Sequence, residues 1–198
     1  MLISTFWLWF EDNLAHLRDV LTDPGHPSRD YLVDSLNNHL LAIGTFTWDI
    51  EAGSSRRWSL TISPNGDADL LELSREIVAM APDLADWEFY YAKQPSRPEL
   101  VLTVWDEEMN QQTVDANPWT YVLLPASGDG YDLLIEAPNA AHVDDETLHT
   151  TADHLVTALM GEEAKIIRLR SIDLTDSLSA ANQKLARPLV QLCLPEGR

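Results

Sequence analysis

The sequence predicts an α+β fold: an N-terminal helical hairpin, then two repeated ββαββ units whose antiparallel sheets are packed by helices. Three observations predict it. Apolar residues recur at helical spacing up to Gly44, and the period then drops to two. Strand-like runs are joined by short turns and separated by two longer helical runs, the pattern of sheets with segregated helices. This order also occurs twice. Phe46-Thr47-Trp48 aligns with Trp119-Thr120-Tyr121, and Trp58 to Ile62 with Tyr131 to Ile135, both at an offset of 73. The turn Ser63-Pro64-Asn65-Gly66 aligns with Ala137-Pro138-Asn139-Ala140 at an offset of 74.

The helical hairpin covers 1–44. Its first helix begins with Phe-Trp-Leu-Trp-Phe, residues 6–10, and carries Phe6, Phe10, Leu14, Leu17 and Leu21 on one face. Ser4 or Thr5 is positioned as N-cap, and Asp23-Pro24-Gly25 ends the helix. The run does not read as a signal peptide: no Lys or Arg precedes Arg18, and Glu11 and Asp12 interrupt it. It falls short of the roughly 20 apolar residues a membrane span needs. The second helix presents Tyr31, Leu32, Leu36, Leu40 and Ile43, with Gly44 as a C-cap.

The first ββαββ unit is expected over 45–106. Phe46, Trp48 and Ile50 alternate inward, a turn at Gly53-Ser54-Ser55 leads to a partner strand, and a helix follows over Ala68 to Met80. Strands at Trp87 to Lys93 and at Glu99 to Trp105 complete it. The polar segment 107–118 reads as a linker. The second unit, 119–198, has a hairpin turned at Ser127-Gly128-Asp129-Gly130 and a helix from about Asp144 to Met160 ended by Gly161. A strand from Ala164, an inserted helix after Asp173 and a last strand from Arg187 complete it. Cys193 lies in that last strand and is expected as a small buried hydrophobe.

With 45% hydrophobic residues and seven tryptophans, the 198-residue chain has enough apolar surface to fold. Its formal charge of −19 repels nucleic acid and anionic membranes and attracts basic proteins and cations. A single cysteine excludes an internal disulfide or a cysteine-rich zinc site and suits the cytoplasm. No P-loop, dinucleotide fingerprint or nucleophile elbow is present, and no cofactor is expected. The strand tryptophans are assigned to the core, and the pair Asp49 and Glu51 to an outward strand face.

Charge distribution is the most informative functional feature. Between Arg97 and Lys165 stand fourteen Asp or Glu and no Lys or Arg. The acids cluster at Asp106, Glu107 and Glu108 and at Asp144, Asp145 and Glu146, the latter also suited to a helix N-terminus. These six are the candidate partner-binding residues of a non-enzymatic protein that docks a basic protein surface. A metal-binding protein or hydrolase is the alternative, using the helix from Asp144 to His154. There Asp145, His149 and Asp153 recur every four residues on one face. A homodimeric structural module, joined through an apolar helix or a sheet edge, is a third reading.

Several short motifs carry a resemblance: Trp7-x-Trp9-Phe10, Leu60-x-Ile62-Ser63-x-x-Gly66, Ala81-Pro82 before Asp86-Trp87, and Leu159-Met160-Gly161-Glu162. In these the chain resembles a full-length family of uncharacterised bacterial proteins, which implies no particular activity. In size and acidity it is similar in type to bacterial toxin-immunity proteins.

Overall fold

Helical periodicity sets the N-terminal segment, and a side chain interrupts it. In the computed structural model, which describes residues 2–23, 25–106 and 108–194, the first helix is two: α1 (Leu2–Asp12) and α2 (Leu14–Thr22). They meet at Asn13, whose side-chain amide donates to the Trp9 carbonyl at 2.8 Å and competes with the helical ladder. The expected stripe survives this break. Phe6, Phe10 and Leu17 are buried, while Leu14 and Leu21 pack at its edge. Trp7 is buried as well, and its indole N–H donates to the Ile77 carbonyl at 2.7 Å.

By Cα packing the chain divides into a unit of residues 1–92 and a unit of residues 93–198. In the first, α1, α2 and α3 (Arg29–Leu41) precede a sheet ordered β1-β2-β3. Strands β1 (Thr47–Ala52) and β2 (Trp58–Ser63) form an antiparallel hairpin. Helix α4 (Ala68–Ala79) is capped by Asp67, which accepts from the Asp69 and Leu70 N–H groups. Strand β3 (Trp87–Tyr90) then lies parallel to β2. Aromatic rings fill this core: Trp7 meets Phe89 at 4.8 Å and Phe10 meets Trp87 at 4.9 Å, both edge to face. Glu88 clasps the β1–β2 turn, accepting from the Ser55 hydroxyl at 2.7 Å and from the Ser54 and Ser55 N–H groups. The Ser55 hydroxyl first, then these backbone donors, hold the Glu88 carboxyl below its ordinary range.

The second unit opens with a two-stranded sheet of β4 (Val101–Trp105) and β5 (Gln111–Asp115). Strands β6 (Thr120–Pro125) and β7 (Tyr131–Glu136) form a hairpin, followed by α5 (Asp145–Met160) and α6 (Glu162–Arg168). Strand β8 (Leu169–Thr175) runs parallel to β7. A one-turn helix α7 (Ala180–Gln183) leads to the two-residue β9 (Arg187–Pro188), giving the order β8-β7-β6-β9. Gly161 makes the corner between α5 and α6 at a φ of 80°, where a Cβ would also come within 2.9 Å of Pro95. Glu162 then holds Lys93 twice, donating its N–H to the Lys93 carbonyl and accepting from the Lys93 N–H through its carboxylate.

The α+β class is seen in both units, but several details differ from expectation. The sheets are mixed, because a helix between strands returns the chain to the starting end and the next strand runs parallel. The strand expected to close the first unit, Val101–Trp105, pairs with Gln111–Asp115 inside the supposed linker. The second unit thus begins before that segment. The strand expected from Ala164 starts only at Leu169, because residues 162–168 form α6, and the inserted helix shrinks to one turn. The last strand is two residues long before a 3-10 turn over Leu189–Gln191, and Cys193 is exposed.

Both units contain a hairpin, a helical connection and a third strand parallel to the hairpin's second strand. Their hairpins pair in the same register at the offset of 73: Trp48 faces Ile62, and Tyr121 faces Ile135. Among the described residues no helix is long and apolar enough to cross a membrane.

Candidate functional site

The acidic residues of the second unit come from two elements. Asp106 follows β4 and organises the β4–β5 turn. Its carboxylate accepts from the Asn110 N–H at 2.8 Å, the Glu108 N–H at 3.0 Å, the Asn110 amide at 3.1 Å and the Gln112 amide at 2.9 Å. Met109, at a φ of 63°, completes this turn. Glu108 is exposed, and Glu107 lies outside the described residues. Asp144 is the N-cap of α5 and accepts from the Thr147 N–H at 2.8 Å. Asp145 and Glu146 occupy the exposed first turn, where they complement the helix dipole.

The charge of Asp106 acts on Asp144, opposing the hydrogen bonds that keep Asp144 ionised. Those bonds prevail: the Thr147 N–H, first among the causes, holds the Asp144 carboxyl below its ordinary range. The Asn110 N–H does the same for Asp106, and the Asn117 N–H for Asp115 at the end of β5. Each lowered group adds stability that is full above its unfolded value, near 4, and lost as pH falls through the lower folded value. The urea midpoint of the second unit should therefore decline as pH falls below about 4. Asp144→Asn should flatten part of that decline; an unchanged acid profile in this variant would show that the cap does not contribute.

Between β4 and α5 lies a groove of about 360 Å3. Leu102, Thr103 and Val104 form its strand side. Glu146, Thr147, Thr150, Thr151 and His154 form its helix side. It has an apolar base, hydroxyls along one wall and one carboxylate toward the acidic end. Glu146 and His154 are eight residues apart on the helix, about 12 Å along its axis. The Thr151 hydroxyl is already used, donating to the Thr147 carbonyl.

Asp145, His149 and Asp153 are all exposed on α5, and Asp153 is ion-paired with Lys165. Among the described residues no group of three His, Cys, Asp or Glu is placed to hold a metal ion. Asp49 and Glu51 are exposed on β1. A smaller apolar cavity of about 110 Å3 in the first unit lies among α2, α3 and β1, lined by Leu17, Leu36, Trp48 and Ile50 with Arg29 at its side.

Of the groove residues, only Glu146 was a sequence candidate for partner binding. The available signal for the strand wall was Val101 to Trp105 itself, β-prone on both faces although only one can face a core. Compared with family models, curated proteins and solved structures, the chain matches none.

Proposed function

We propose that this protein is a non-enzymatic interaction protein whose second unit docks a basic segment of a partner protein. The observation that carries the reading is the groove between β4 and α5, with Glu146 in its wall, within a stretch free of Lys and Arg from residue 98 to residue 164. Capture of a basic toxin, as by an immunity protein, is one form of such binding. The reading places the chain in the cytoplasm, where the exposed Cys193 thiol stays reduced. It also takes the two units as copies of one ββαβ element, supported by their common hairpin register, with the groove particular to the second copy.

The test uses a short fluorescent peptide alternating lysine and valine, followed by anisotropy. Binding should be present at low salt and weaken as salt screens the charges. Glu108→Lys combined with Glu146→Lys should weaken it by about tenfold or more, equivalent to about 1.4 kcal/mol. Asp30→Lys with Asp34→Lys, on exposed positions of α3, is the matched control and should leave binding largely intact. Equal losses in both double variants would sink the assignment to the second unit.

A further inference from the structure

We infer that the partner segment binds as an added β-strand on the free edge of β4, lying in the groove between β4 and α5. This deepens the acidic docking reading and rests on it. Backbone direction distinguishes the two edges of β4. The Ala116 N–H donates to the Leu100 carbonyl, and the Asp106 N–H to the Asn110 carbonyl. Residues 100, 102, 104 and 106 therefore turn their backbone groups toward β5, and Val101, Thr103 and Trp105 turn theirs away.

The two edges of this sheet are treated differently. On β5, the outward carbonyls of Thr113 and Asp115 are occupied, by the His142 ring at 3.1 Å and the Asn139 amide at 2.8 Å. On β4, the outward N–H and C=O groups of Val101, Thr103 and Trp105 have no partner among the described residues. Protein edges are commonly guarded by lysine, proline or a bulge, and β4 has none of these.

The groove fits a strand in extent and chemistry. Three consecutive β4 residues line it, Thr103 from one face and Leu102 and Val104 from the other, which places it at the strand's edge. Strand β4 is about 17 Å long, and α5 covers about 15 Å from Asp144 to His154. An added strand would point alternate side chains into the groove, where apolar residues meet Leu102 and Val104. The intervening side chains would share the outer face with Trp105, which is 56% exposed, and Val101, which is 51% exposed. Lysine or arginine there meets the aromatic face of the exposed Trp105, within a stretch that holds fourteen Asp or Glu and no Lys or Arg. The occupant is thus an extended segment alternating basic and apolar residues, held by main-chain bonds as in strand addition to other open sheet edges.

Backbone methylation of the lysine–valine peptide separates this mode from charge attraction alone. Two peptides are compared with the parent, each N-methylated on the alternate amides of one edge. At least one should bind about tenfold more weakly or worse, and the parent should slow amide exchange at Val101, Thr103 and Trp105. Thr103→Pro, tolerable at an edge position, should lose binding while keeping the far-ultraviolet spectrum. If all three peptides bind equally and the β4 amides exchange as before, strand addition is wrong and the acidic docking reading stands. If none binds at low salt, both readings fall.

Discussion

Replacing Trp7 with alanine is expected to destabilise the first unit by about 3–5 kcal/mol, the cost of truncating a buried large aromatic. Trp7 is only 4% exposed and packs against Phe6, Phe10 and Phe89. Truncation would open a cavity among these rings and leave the Ile77 carbonyl without its indole donor. Trp7→Phe separates the two contributions, because it keeps a ring and removes only the donor and part of the volume. Its cost should be clearly smaller. Leu8, on the opposite side of α1 and 62% exposed, is the neutral comparison. Urea unfolding followed by circular dichroism measures all three. A near-neutral Trp7→Ala would contradict the assignment of α1 to the core.

The second large effect is expected at Trp119. It is 1% exposed and lies at the start of the β6 segment, with its indole N–H on the Asn139 side-chain oxygen at 3.0 Å. Asn139 in turn donates to the Asp115 carbonyl, so this tryptophan supports the group that closes the β5 edge. Trp119→Ala should cost about 3–5 kcal/mol and release Asn139 as well. Amide exchange in β6 and β7 should accelerate by the corresponding factor if these strands open through global unfolding. Asn139→Ala keeps the indole in place and should expose the β5 edge at a smaller stability cost. Unchanged exchange in Trp119→Ala would mean that the hydrophobic cluster around Leu133 and Ile135 holds without it.

What was legible in the sequence follows the range of the forces involved. The stripe of Phe6, Phe10 and Leu17 and the α5 boundaries at Asp144 and Gly161 were readable, since periodicity and capping are local. The offset of 73 between the hairpin segments is legible there too, and both hairpins pair at that offset. The break at Asn13 was not, since its side chain competes for backbone groups that an uninterrupted helix would use. Ile166 and Ile167 suggested a strand, but the Gly161 corner and the Glu162–Lys93 clasp start a helix there instead. The pairing of β4 was out of reach for a different reason. Gln111 to Asp115 looks polar because its outward residues face solvent, and a strand's partner is a non-local choice. The groove depends on that pairing and on α5 lying beside it, so only Glu146 and His154 of its lining, both on α5, were named beforehand.

The six acidic candidates also divide by role. Asp106 and Asp144 shape the turn and the helix end, Glu108 accepts from the Asn110 amide at 3.4 Å, and Asp145 and Glu146 are exposed on the first turn of α5. The central claim is that a basic segment is received at the groove of the second unit. Backbone amide shifts of the isotopically labelled full chain, titrated with the lysine–valine peptide at low salt, test it most directly. The shifts should concentrate at Val101, Thr103, Trp105, Glu146 and His154, with the first unit unmoved. Shifts scattered over exposed acids of both units, Asp30 and Asp34 included, would contradict it.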